Sequence, residues 1–240
     1  MNRYSNGAQE VQSQQSFSRF MSGIYAWVAG GLLISALTVF FLMYSYNPVS
    51  VAFWDLIVAT NGMVIYGFII LELVLVFTFR FNPENIKSKA NYVVKYLLYA
   101  MVNGITLSLV VFSYTDTSVF NAFISTVGLF AVLSVIGFTT KKDLSKLGGI
   151  LLSMLLGLII ASLVNIFFLH SSVGDLVLSI ITVVIFVGLT AYDTQKCRYL
   201  YQEFAGSPLL SRLSIGLALE LYLDFINLFL SILRIFGKRK

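Results

Sequence analysis

Leu213-Ser214-Ile215-Gly216-Leu217-Ala218-Leu219-Glu220-Leu221-Tyr222-Leu223-Asp224-Phe225-Ile226-Asn227-Leu228-Phe229-Leu230-Ser231-Ile232-Leu233-Arg234 is apolar enough to cross a bilayer, yet it carries charges that a membrane helix ordinarily lacks. The polar and small positions Gly216, Glu220, Asp224, Asn227, Ser231 and Arg234 are spaced 4, 4, 3, 4 and 3 residues apart. On an α-helix that spacing makes one continuous stripe, with Leu, Ile, Phe and Tyr dominating the other faces. A carboxylate at membrane depth is costly unless it faces protein or water. The stretch 209–237 therefore reads as a central helix wrapped by the others, its polar stripe lining a site or a path.

The rest of the chain fits that reading. Of 240 residues, 58% are hydrophobic and 11% are charged, where a soluble chain has about a quarter charged. The 21 Phe and 13 Tyr suit bilayer-facing and interfacial positions. This is the composition of an all-α polytopic membrane protein.

A net charge of +5 would suit nucleic acid, but the distribution of charge removes that reading. All 16 Lys and Arg fall in five clusters separated by uncharged apolar spans, the pattern of the positive-inside rule. One cysteine, Cys197, excludes an intrachain disulfide and reads as a bystander thiol in a basic cytosolic segment. The one histidine, His170, has no ligating neighbours in sequence and reads as a solvated loop residue.

Residues 1–20 form a polar, Asn-, Ser- and Gln-rich cytosolic tail without the apolar core of a signal peptide. Residues 21–240 form the transmembrane domain. Seven spans of about 20 residues are expected at about 24–46, 52–79, 92–114, 118–138, 148–169, 174–195 and 212–236. The tail and the loops after spans two, four and six hold every Lys and Arg before the last helix, which puts the N-terminus in the cytosol. The end Gly237-Lys238-Arg239-Lys240 then conflicts with the rule. Either the last helix crosses fully and its basic end is tolerated, or it is re-entrant and returns to the cytosol.

Three further features lie in or beside the spans: Glu72 in span two, Asp193 at the end of span six, and Arg80 at the cytosolic edge of span two. Glu72 either lines the path or only hydrogen-bonds a neighbouring helix. Gly30-Gly31, Gly104 with Ser108, and Gly148-Gly149 read as close packing points between helices. Trp27 and Trp54 read as interfacial anchors.

Tyr192-Asp193-Thr194-Gln195, followed by Leu221-Tyr222-Leu223-Asp224-Phe225-Ile226-Asn227-Leu228-Phe229, resembles the Bax inhibitor-1 family, the transmembrane Bax inhibitor motif proteins. The resemblance covers essentially all of the chain after the tail, and the tail looks like that of bacterial members. It implies seven helices with the last central, wrapped by the other six, in a bacterial inner membrane. It also implies a pH-sensitive calcium leak in which an aspartate pair, here Asp193 and Asp224, senses protons. The segment Lys196 to Arg212, with Gly206-Ser207-Pro208, departs from the pattern by its length and leaves Glu220 as an alternative partner for Asp193.

Two carboxylates in one low-dielectric site cannot both ionise easily, so they share a proton near neutral pH, and losing it adds repulsion. Calcium seeks six to eight oxygens. Asp193, Asp224, Glu220 and Asn227 would give a weak, transient shell, with Glu72 on the path and Arg80 as a latch on Asp193. No tightly bound cofactor is expected. Two other functions remain open: binding and modulation of a membrane-bound ATP-dependent protease, with which bacterial relatives are associated, and proton-coupled cation exchange. Enzyme activity is not expected. The last helix has no Lys for a retinal Schiff base, and a lone His on the far side cannot serve a serine protease.

Overall fold

A computed structural model describes residues 3–79 and 88–240, with side chains from Ser16 onward. Arg80 lies outside the described residues. The described elements are α1 (Arg3–Tyr44), α2 (Pro48–Ala59), α3 (Val64–Thr78), α4 (Lys89–Phe112), α5 (Asp116–Thr139), α6 (Ser145–Val164, widening into a π turn over Asn165–Leu169), α7 (Ser172–Phe204) and α8 (Leu210–Phe236). Six of these helices are long and apolar enough to cross a membrane.

The expected span over 52–79 is broken. Helices α2 and α3 meet at a 108° bend, and neither alone, at 12 and 15 residues, reaches the length a bilayer core requires. The cause is local. Asn61 and Gly62 both take positive φ, 47° and 78°, in the left-handed region that Gly and Asn enter at least cost. Counted as one bent span, the pair brings the total to seven.

Chain entry into α2 is set by Asn47. Its side-chain oxygen accepts from the Val49 and Ser50 amides, and Ser50 Oγ accepts from the Asn47 amide in return. Pro48, which has no amide hydrogen to lose, occupies the first turn. At the start of α6, Asp143 accepts from the Ser145 amide at 2.9 Å, and these hydrogen bonds to Ser145 hold its carboxyl below the usual range.

Helix α8 forms the core. In its most apolar window 72% of residues are buried, against 44% or less in each other candidate span. It packs against α1, α4, α5 and α7, while α3 lies on α4 and α6 on α7. Tyr222 meets Tyr96 and Tyr99 edge-on, and Phe225 meets Phe123 and Phe130. Burial around α8 is uneven. Leu213, Gly216, Glu220, Leu223, Asn227 and Leu230 are half-buried and Arg234 is exposed, at spacings of 3 and 4 residues that trace one face. The polar stripe mostly follows this accessible face, and only Asp224 and Ser231 turn inward, each 3% exposed.

The last helix runs unbroken from one end of the bundle to the other. It begins after the turn at Ala205–Leu209 and ends against the α4–α5 turn at the other end of the bundle. There Thr115 N donates to Lys238 O at 3.0 Å, Lys240 N donates to Ser113 O at 3.1 Å, and Lys238 N donates to Ser118 Oγ at 2.9 Å. A re-entrant α8 would return to the α7 end. The basic terminus is held on the far side by backbone hydrogen bonds and by Lys240 on Asp116 at 3.4 Å.

Three of the expected glycine contacts are close approaches: Gly31 beneath Tyr96 and Tyr222, Gly104 against Thr38 and Ser35, and Gly148 against the Tyr192 ring. Cys197 is buried in the core cluster because α7 continues through it, so it lies within the bundle rather than in a basic loop. Trp54 Nε1 donates to Leu42 O at 2.9 Å, and its ring lies on Phe112 at 5.0 Å.

Candidate functional site: a carboxyl pair between α7 and α8

Span six was expected to stop at residue 195. Helix α7 instead runs nine residues further, to Phe204, because its charges find partners within the bundle. Lys196 Nζ contacts both Glu220 oxygens at 2.8 Å, and Arg198 Nη1 donates to Phe138 O at 3.1 Å. The linker is thereby reduced to a short turn through Gly206 at φ 81°. Asp193 lies 11 residues before the end of α7 and Asp224 lies 14 after the start of α8. In an antiparallel pair rising about 1.5 Å per residue, the two reach similar depth.

Asp193 on α7 and Asp224 on α8 lie close enough for their carboxyl groups to interact, and Thr190 lies beside Asp224. Thr190 Oγ1 donates to Phe186 O at 2.7 Å. Asp224 Oδ2 is buried without a hydrogen-bond partner among the described residues. A carboxylate has no donor, so a hydrogen bond between two carboxyl groups requires one proton between them. Asp193 is only half-buried and Asp224 is enclosed, which makes Asp193 the member through which protons can exchange.

Of the other expected site residues, Glu220 lies near enough for its charge to act on both aspartates and is itself held by Lys196 at 2.8 Å. Asn227 Nδ2 donates to Leu223 O at 2.8 Å on its own helix. Glu72 sits across the bundle on α3, where Thr106 Oγ1 and Asn103 Nδ2 of α4 donate to its Oε1. Among the described residues no three His, Cys, Asp or Glu side chains are grouped so as to hold a metal ion.

Sequence reasoning missed a polar chain running inward from Glu72. Asn103 Oδ1 accepts from Tyr222 OH at 2.7 Å, Tyr222 OH shares a 2.7 Å hydrogen bond with Ser35 Oγ, and Ser35 Oγ reaches Ala100 O at 2.7 Å. It ties α1, α3, α4 and α8 together, joining α8 at Tyr222, two residues before Asp224. The available signal was Tyr222 itself, a polar tip inside the Leu-Tyr-Leu-Asp motif. Gln195 was also missed as a clamp. It is buried, accepts from Leu144 N and donates to Lys142 O, both at 2.8 Å, and so pins the α5–α6 turn to α7.

An antiparallel bundle of apolar helices that buries a carboxyl pair between its last two members defines a polytopic membrane protein with an ionisable interior. The family profile described as "Inhibitor of apoptosis-promoting Bax1" matches residues 17–240. The chain belongs to the Bax inhibitor-1 family. It is 38% identical to the inner membrane protein YbhL of Escherichia coli K12 over the whole of both chains. It is 37% identical, over 95% of its length and 96% of the relative's, to an uncharacterized membrane protein of Streptococcus pyogenes serotype M3. A Borreliella burgdorferi protein is 38% identical over 97% of each chain.

Proposed function

We propose that the protein is a pH-sensitive calcium leak of a bacterial inner membrane, gated by the Asp193–Asp224 pair. The observation that carries this reading is the meeting of two carboxyl groups, one enclosed and one half-open, between α7 and the most buried helix. The proposed topology has seven spans, with α2 and α3 as one bent span, α8 central and the N-terminus cytoplasmic. This reading requires neither a resident cofactor nor a catalytic step.

With one proton between them, Asp193 and Asp224 bind each other and keep α7 against α8. Loss of that proton leaves two like charges. At about 4 Å and an effective dielectric of about 20 these repel by about 4 kcal/mol. Separation relieves the repulsion, and so does a cation entering between them. Calcium then meets two carboxylates and water. That shell is too small to retain it, as conduction requires. Because Lys196 neutralises Glu220, a third carboxylate does not convert the passage into a trap. The test is calcium entry into liposomes holding the purified protein, which should rise at least ~10-fold between pH 6 and pH 8 if one shared proton controls opening. A leak no greater than that of empty liposomes at any pH would reject the channel.

A second reading rests on α1. Its 42 residues extend about 60 Å, roughly twice the hydrocarbon thickness, so the helix continues well outside the membrane. The segment before Ser16 is a suitable handle for a membrane-bound ATP-dependent protease. Deleting residues 3–15 should leave calcium entry unchanged and abolish co-purification with that protease. Loss of leak with retained co-purification would exclude this division of roles.

A further inference from the structure

We propose that the C-terminal end of α8 is a binding site for the headgroup phosphate of an anionic phospholipid. A cavity of about 780 Å³ opens there between α4, α6, α7 and α8. Arg234, Arg239 and Lys240 line it together with one acidic side chain, Asp175. Leu109, Phe112, Ile166 and Leu178 supply apolar wall.

The cations are not equivalent. Lys240 is engaged by Asp116, and Arg239 lies over the Tyr114 ring at 5.9 Å. Arg234 is exposed and has no ion-pair or hydrogen-bond partner among the described residues. Asp175 makes no ion pair with it: the Asp175 carboxylate is turned to Asn165 Nδ2, from which it accepts at 2.7 Å within the α6–α7 turn. Arg239 is set in place by the backbone bridge to Tyr114 and by the flanking hydrogen bonds of Lys238 and Lys240. Two guanidinium groups, each suited to bidentate phosphate contact, thus face one cavity that a single acid leaves electropositive.

The location identifies the anion's source. The cavity lies at the span ends where lipid headgroups lie, and Arg234 ends the accessible face of α8 that runs down the bundle between α4 and α7. A headgroup phosphate can sit on Arg234 and Arg239 while an acyl chain follows Leu230 and the apolar cavity wall. This occupant also accounts for basic residues on the side that the positive-inside rule leaves without them. The site does not depend on the leak.

The full-length protein in neutral detergent, given equal phosphatidylglycerol and phosphatidylcholine of matched acyl chains, tests this by native mass spectrometry and thermal unfolding. Phosphatidylglycerol should be retained preferentially and raise the unfolding midpoint. The Arg234→Gln/Arg239→Gln double variant should lose that retention by ~10-fold or more. Lys141→Gln/Lys142→Gln at the opposite end should keep it. Asp175→Asn, which spares the size of the side chain, should increase retention, and this arm stands even where the double variant fails to fold. Equal retention of the two lipids, an unaffected double variant, an equal loss at Lys141 and Lys142, or no gain in Asp175→Asn would each overturn the proposal. The same midpoint rise with inorganic phosphate alone would replace the lipid by a free anion and overturn it too.

Discussion

Replacing Asp224 by Asn is expected to remove the response of calcium entry to pH. The substitution keeps the side chain's size and takes away its charge. The amide that it introduces donates to an ionised Asp193 carboxylate, so the α7–α8 contact persists whether or not the proton is present. Entry should therefore stay near the wild-type pH 6 level and vary less than ~2-fold up to pH 8, against the ~10-fold or greater rise expected of the wild type. The reciprocal Asp193→Asn should behave alike, since either member alone lacks the like-charge partner whose repulsion opens the pair. A wild-type pH profile in both variants would show that some other group senses protons. Circular dichroism and elution volume separate this outcome from misfolding.

The second large effect is on stability, at Gly137. A Cβ there would press on the Ala191 carbonyl and lie 2.9 Å from Thr194 Cβ. The first obstacle is backbone, which no rotamer change relieves, so α5 and α7 must part. Gly137→Ala should cost about 3 kcal/mol, the upper end for overpacking, and lower the unfolding midpoint by several degrees. Because Ala191 and Thr194 flank Asp193, the same change should disturb the carboxyl pair. Gly149→Ala is the matched control. Nothing lies within 4 Å of its Cβ, and Ala is the better helix former by up to about 1 kcal/mol, so the midpoint should hold or rise. Equal losses at the two glycines would mean that the α5–α7 approach is not the cause.

Much of this architecture is legible from residue spacing. A charge inside an apolar helix must face protein or water, and that constraint alone singles out 209–237 and its polar stripe. What spacing cannot give is which polar groups find each other. Glu220 and Asn227 share the stripe with Asp224, yet the stripe is broad enough that Asp224 points between helices while the other two stay on the accessible face. Lys196 reads as a loop cation until Glu220 is seen to hold it inside α7. The same ion pair explains why the segment after Asp193 is helix rather than linker. The break at Asn61-Gly62 was available in the sequence, but apolar composition on both sides concealed it. Four helices, α1, α4, α5 and α7, pack directly on α8, so it has an open side that a simple count of spans does not reveal.

The position of α8 in the chain bears on biogenesis. Synthesised after α1–α7, it brings Tyr222 to Asn103 and Ser35, Glu220 to Lys196, and Asp224 to Asp193. Until it arrives, the earlier helices hold these polar groups in the bilayer without their final partners, and the centre that they surround is vacant. Insertion and folding are therefore separate events here. The first seven helices can be delivered to the membrane one by one, but the structure becomes committed only when the last helix enters among them.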